Sequence, residues 1–146
     1  MKVLSASKTL HRYGWLRILS IMMDKVLQDL RKGEDSSLLL KVACDILRVL
    51  TIMGGSAWTT ELEQRLLELW SLDEEHLYDL GSLQGEVEKA LELLRGRNLL
   101  NVRKCVRGDL ETNMQREENL YSTCDFTSLL RVFGSDGKVL RYRTMA

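Results

Sequence analysis

Apolar side chains recur every three or four residues over four stretches of this chain, the period of a helix buried along one side. From about Leu10 to Lys32 the set Leu16, Leu19, Met23, Val26, Leu27 and Leu30 keeps that spacing, and Gly33 is a natural stop. Trp15, Ile18, Ile21 and Met22 widen the greasy face, the pattern of a helix covered on two sides. Ser36 or Ser37 then caps a second helix to about Met53, with Leu39, Val42, Ala43, Ile46, Leu47, Val49 and Leu50 inward and Gly54-Gly55 after it. Ala57-Trp58-Thr59 reads as a short strand. Thr60-Glu61-Leu62-Glu63 spells a capping box that opens a helix through Leu62, Leu66, Leu67, Leu69 and Trp70. Ser71 to Gly81 reads as a long connector holding an extra helical turn, capped by Ser71, with Leu72, Leu77 and Leu80 inward.

The next stretch organises the rest. Ser82 is placed to cap a helix over 82–97, and Val87, Leu91 and Leu94 form its buried stripe. Asn98 follows where the helix must stop, and Asn tolerates the left-handed conformation such a stop requires. Leu99-Leu100-Asn101-Val102 continues at once as a strand, Arg107 to Arg116 is a polar, turn-rich loop, and Asn119 to Cys124 is the returning strand. Thr127 to Phe133 and Lys138 to Arg143, two β-rich runs around Gly-Ser-Asp-Gly, read as a further hairpin. The fold class is mostly α with a small antiparallel β wing (α+β), in three parts: an N-terminal helix over 1–33, a central domain over 34–125, and a C-terminal β-hairpin over 126–146.

Charge changes this picture along the chain but not in total, since 21 basic residues balance 21 acidic ones. Residues 1–32 carry seven bases against Asp24 and Asp29, a net of +5. Residues 59–93 carry ten acids against Arg65 and Lys89, a net of −8. Residues 95–116 return to +4, with Arg95, Arg97, Arg103, Lys104, Arg107 and Arg116 against Asp109 and Glu111. Cys44, Cys105 and Cys124 are an odd, sparse set without a C-x-x-C pair, as expected in a reducing interior. The N-terminus lacks a signal-peptide pattern, and the apolar run from Leu38 to Met53 is interrupted by Lys41, Asp45 and Arg48. A cytoplasmic protein without a membrane partner is expected.

The order helix, short strand, helix, helix, two-stranded ribbon over residues 37–124, with V-x-x-x-L-x-x-L, an Asn brake and L-L at its centre, resembles the winged helix-turn-helix transcriptional regulators of bacteria and archaea. That resemblance implies duplex DNA binding, with the helix over 82–97 in the major groove and the ribbon, or wing, on the flanking backbone. Carried onto this chain, the base-reading residues are Ser82, Gln84, Gly85 and Lys89, and the phosphate contacts are Arg103, Lys104, Arg107 and Arg116. The resemblance also makes homodimerisation through the N-terminal helix an expectation. Glu86, Glu88 and Glu92 on the presumed reading helix oppose phosphate. A second reading follows from them: a winged-helix module whose acidic helices bind a basic protein partner, without DNA.

Enzymatic chemistry finds little support. His11 and His76 belong to no catalytic spelling, no P-loop or G-x-S-x-G elbow appears, and no cofactor is implied. Cys105 and Cys124 on adjacent strands, with His76, are the one candidate zinc set, and the same cysteines are a candidate cross-strand redox pair. Two buried, inert thiols is the simpler expectation. Trp15, Trp58 and Trp70 read as core anchors.

Overall fold

The computed structural model describes residues 2–72, 80–108, 111 and 113–145, leaving the side chains of residues 2–13, 16 and 80–82 aside. It comprises α1 (Lys2–Lys32), a 3-10 turn (Glu34–Ser36), α2 (Leu38–Ile52), β1 (Ser56–Trp58), α3 (Thr59–Ser71), α4 (Leu80–Gly96), β2 (Leu100–Gly108), β3 (Gln115–Thr123), α5 (Phe126–Phe133) and α6 (Gly137–Met145). The architecture is mostly helical with one small antiparallel sheet of order β1-β3-β2.

α2 is the centre. Every residue from Val42 to Thr51 is buried, and α3, α4, α5 and α6 pack around it. A helix apolar on nearly all sides has to be enclosed in this way. Ser37 caps it by accepting the Leu40 N–H at 3.2 Å. Gly54 and Gly55 end it with φ of 82° and 105°, and Gly55 N–H donates to Leu50 at 2.8 Å. α4 ends in the same geometry: Asn98 has φ 60°, Asn98 N–H donates to Arg95 at 3.0 Å, and Leu99 N–H donates to Leu94 at 2.9 Å. This paired-bond stop packs Leu99 on Leu94 and aims the chain back as β2.

Two charged residues on α2 are enclosed together. Arg48 lies 2.7 Å from Asp45 through Nη1 and 3.0 Å from Asp136 through Nε, and its Nη2 donates to Glu34 at 2.8 Å. Phe133 covers the guanidinium at 5.7 Å. Trp70 Nε1 donates to Asp45 at 2.9 Å. Burial opposes the charge on Arg48, but the hydrogen bonds to Glu34 and Asp136 more than offset it, so the group is held firmly protonated.

Several expectations need correction. The C-terminal hairpin over 126–146 is instead the helix pair α5 and α6. Asp125 caps α5 by accepting from Ser128 N–H at 3.2 Å, and Leu129, Val132 and Phe133 form its buried stripe. Asp136 caps α6 by accepting from Lys138 N–H at 2.9 Å, so Gly-Ser-Asp-Gly is a helix junction. Ser82 is not the cap of α4, because the helix already includes Leu80 and Gly81. The stripe of α4 is Leu83, Val87, Ala90 and Leu94, with Leu91 only half-buried. Trp15 is no core anchor, being 57% exposed; Ile18, Ile21 and Met22 are exposed too, so that face of α1 is not covered by the described residues. The extra turn expected after Ser71 falls largely on 73–79, outside the described residues. No helix among those described is long and apolar enough to cross a membrane.

Candidate functional site

α4 and the β2–β3 ribbon bring the sequence-predicted residues into one region but distribute them differently. Gln84, Gly85, Glu88, Lys89, Glu92 and Arg95 are exposed along α4. Ser82 lies in the first described turn of the helix, its side chain outside the described set. Lys89 Nζ sits 3.6 Å from Glu86, and Arg95 sits 3.9 Å from Glu92. Both cations of α4 therefore have a carboxylate one turn earlier on the same helix, while Glu88 has no ion-pair partner among the described residues. Three glutamates against Lys89 and Arg95 leave α4 at a net of −1.

The ribbon divides its cations between two faces, since neighbouring residues on a strand point to opposite sides. Val102 pairs with Tyr121, Lys104 with Asn119, and Val106 with Glu117; this face looks onto α4. Arg103 pairs with Leu120, Cys105 with Glu118, and Arg107 with Arg116; this is the far face. Arg103 and Arg107 thus lie on the opposite face from Lys104, although Lys104 and Arg116 border one recess.

Arg107 is engaged within the chain. Its guanidinium lies 5.4 Å over the Trp58 ring, 3.3 Å from Glu118 Oε2 and 3.7 Å from Glu61. Glu118, nearly buried, also accepts the Thr60 N–H at 2.8 Å and the Thr60 hydroxyl at 2.5 Å. Burial pushes its carboxyl up, but the bonds from Thr60 and Arg107 prevail and hold it below the ordinary value. Arg116 lies 3.8 Å from the same carboxylate. Glu118 thus caps α3 from a distant strand in place of the Thr60–Glu63 box, and fixes the ribbon's base to that helix. Glu118 is the residue that sequence reasoning missed: its only trace is an acidic pair, Glu117-Glu118, just beyond a basic run. Arg103 and Lys104 remain exposed, without an ion pair to another described residue.

Between α4 and the ribbon lies a groove of about 230 Å³ with a floor of Leu91, Val102 and Tyr121 and a rim of Glu88, Glu92, Arg95 and Asn119, in which Arg95 offsets Glu92. Apolar exposure continues outward from it at Val106 and Met114. A second recess of about 430 Å³, bounded by Thr59, Lys104, Arg116, Glu117 and Asn119, is mixed in charge.

The cysteines do not converge. Cys105 faces Glu118 across the ribbon, whereas Cys124 lies one residue past the end of β3, so they are not cross-strand partners. Nor are they two buried thiols: Cys105 is half-buried and Cys124 exposed, and the buried thiol is Cys44. Among the described residues no three metal-ligating side chains cluster, and His76 lies outside them. No protein-family model matches the chain, and comparison with curated proteins finds no similar sequence.

Proposed function

We propose that this chain is a winged-helix interaction module that receives a basic, partly apolar protein segment in the groove between α4 and the β2–β3 ribbon. The succession α2, β1, α3, α4, β2, β3 with strand order β1-β3-β2 supports the winged-helix reading. The observation that carries the functional reading is the groove's chemistry: Glu88 and Glu92 stand over Leu91, Val102 and Tyr121. A lysine or arginine suits both parts, its aliphatic stem lying on the apolar floor and its charged head at the rim. Duplex DNA would meet the Glu88 carboxylate there instead, which has no ion-pair partner among the described residues and repels phosphate.

DNA binding is the second reading, and Arg103 with Lys104 favours it. Both are exposed and without an ion pair to another described residue, as suits a phosphate contact. Fluorescence anisotropy at low salt separates the two. A labelled peptide rich in lysine, arginine and leucine is expected to bind, and Glu88→Lys with Glu92→Lys to abolish that binding. If the peptide is ignored and duplex DNA is bound with a salt slope that Arg103→Ala and Lys104→Ala reduce, the interaction-module reading is wrong and the DNA reading stands.

A further inference from the structure

We propose that the protein segment received in the groove binds as a fourth strand, laid antiparallel along the open edge of β2. This deepens the interaction-module reading and rests on it. The sheet order β1-β3-β2 gives β2 a neighbour on one side only, and among the described residues no strand lies beyond it. β2 is nine residues long, whereas strands at a sheet's margin are commonly kept short against chance pairing.

The register fixes which backbone groups face outward. Cys124 N–H donates to the Leu99 carbonyl at 3.4 Å, and Thr123 N–H donates across the other side of β3 to Gly55 at 2.8 Å. Bonded pairs in an antiparallel ladder recur at every second residue, so Asn101, Arg103, Cys105 and Arg107 direct their N–H and C=O groups to β3. Val102, Lys104 and Val106 direct theirs away from it. The side chains of the same three residues lie on the face that looks onto α4. A strand added there bonds to β2 through residues whose own side chains enter or flank the groove. One segment thus gains backbone affinity and side-chain selection together.

Charge selects the occupant. Lys104 is exposed and has no ion pair to another described residue, so an acid suits the position opposite it. Val102, 37% exposed, belongs to the groove floor, so a lysine or arginine opposite it lays its stem there and its head toward Glu88. Val106, 60% exposed, calls for an apolar residue. In antiparallel order the segment reads apolar, any, acidic, any, basic. A second copy of β2 fits poorly. The register of fullest overlap sets Lys104 against itself, and the neighbouring ones set Arg103 against itself or against Arg107. The bases that deter self-pairing leave the edge open to a foreign strand that carries an acid.

Fluorescence anisotropy on the full chain at low salt tests this, with a labelled peptide of leucine, threonine, glutamate, threonine and lysine in that order, flanked by threonines. Binding is expected. N-methylation of the leucine, glutamate or lysine, whose N–H groups face β2, should weaken it about tenfold or more, and methylation of the two intervening threonines less than about threefold. The methyl groups are on the peptide, so the folding of the chain is untouched. Hydrogen exchange at Val102, Lys104 and Val106 should slow on binding. Lys104→Glu should weaken this peptide about fivefold, and a peptide with lysine for glutamate should recover the loss. Binding that tolerates methylation everywhere, or falls equally at every position, overturns the strand inference and leaves the groove reading intact. So does binding of the lysine-, arginine- and leucine-rich peptide but not of this one. If neither peptide binds, the groove reading fails and the strand inference with it. Exchange at β2 that slows in the peptide-free chain as its concentration rises means that a second copy takes the edge, and also overturns the proposal.

Discussion

Replacing Arg48 with leucine tests the centre of this fold most directly. The substitution keeps a large apolar stem in α2 but removes the guanidinium shared by Asp45, Asp136 and Glu34. Asp45 and Asp136 are at most 4% exposed as side chains, so water does not replace the lost cation. Breaking a buried ion pair by removing one partner costs about 3–5 kcal/mol, mostly for the charge left behind. The lower end applies here, because each aspartate keeps other partners. Asp45 still accepts from Trp70 at 2.9 Å and lies 3.5 Å from Lys138. Asp136 still accepts from the Lys138 N–H at 2.9 Å and lies 3.3 Å from Arg31. We expect Arg48→Leu to cost about 3 kcal/mol at pH 7, or a melting point lower by roughly 6–12 °C for a chain of this length. Arg48→Lys should cost about half as much, since it retains the charge but not the forked geometry. Urea melts at pH 7 and pH 5 are the assay. A buried carboxyl deprived of its cation takes up a proton, so the cost should shrink at the lower pH. A cost under about 1 kcal/mol at pH 7, or one indifferent to pH, would refute the view of Arg48 as the shared counter-ion.

Three further outcomes follow. Asp136 and Glu118 are held below their ordinary values of 3.8 and 4.5, because hydrogen bonds overcome burial: for Asp136 from Arg48 and then backbone N–H groups, for Glu118 from the Thr60 hydroxyl and N–H and then Arg107. Depressed carboxyls contribute in full above their unfolded values and lose that contribution as pH falls through the folded ones, so the urea midpoint should hold down to about pH 4.5 and drop below it. The Cys44 thiol is pushed up to about 12, by burial first and by Glu34 second, so a thiol reagent at pH 8 should label no more than two of the three cysteines until the chain unfolds. A Cβ at Gly55, where φ is 105°, would stand 3.0 Å from the Phe126 ring, so Gly55→Ala should cost about 1–3 kcal/mol in the same melts.

Sequence reasoning located the four long helices and the ribbon because their signals are local. Ser37 reaches only to Leu40, and Asn98 completes its stop within five residues. Where the deciding contact is remote, local spelling misleads. Thr60 is followed three residues later by Glu63, yet the oxygen that takes its N–H belongs to Glu118, 58 positions away. The C-terminal segment shows the same problem in another form. Phe126, Val132, Phe133 and Tyr142 carry strand propensity, but α5 and α6 are short and gain their stability from burial against α2 and from caps that include Asp136, whose second partner is Arg48. In α4 the period alone did not choose between Leu91 and Ala90. The small residue is the buried one, and Leu91 is left to floor the groove.

The site was less legible than the fold because summed charge is not presented charge. Residues 95–116 count as +4 in the sequence, yet Arg95 is set against Glu92, while Arg107 and Arg116 share Glu118. The ribbon's cations without an ion pair to another described residue are Arg103 and Lys104, and the strand's alternation sends those two to opposite faces. A single DNA backbone running along one face of β2 meets only one of them. The carboxylates lie differently: Glu88 and Glu92 are four residues apart on one helix and hence on one side of it, with Glu92 offset by Arg95 and Glu88 without an ion-pair partner among the described residues. With Arg95 and Glu92 offsetting each other at the rim, the net charge beside the apolar floor is the negative one of Glu88. That distribution, more than any count along the chain, is why the partner we infer is basic.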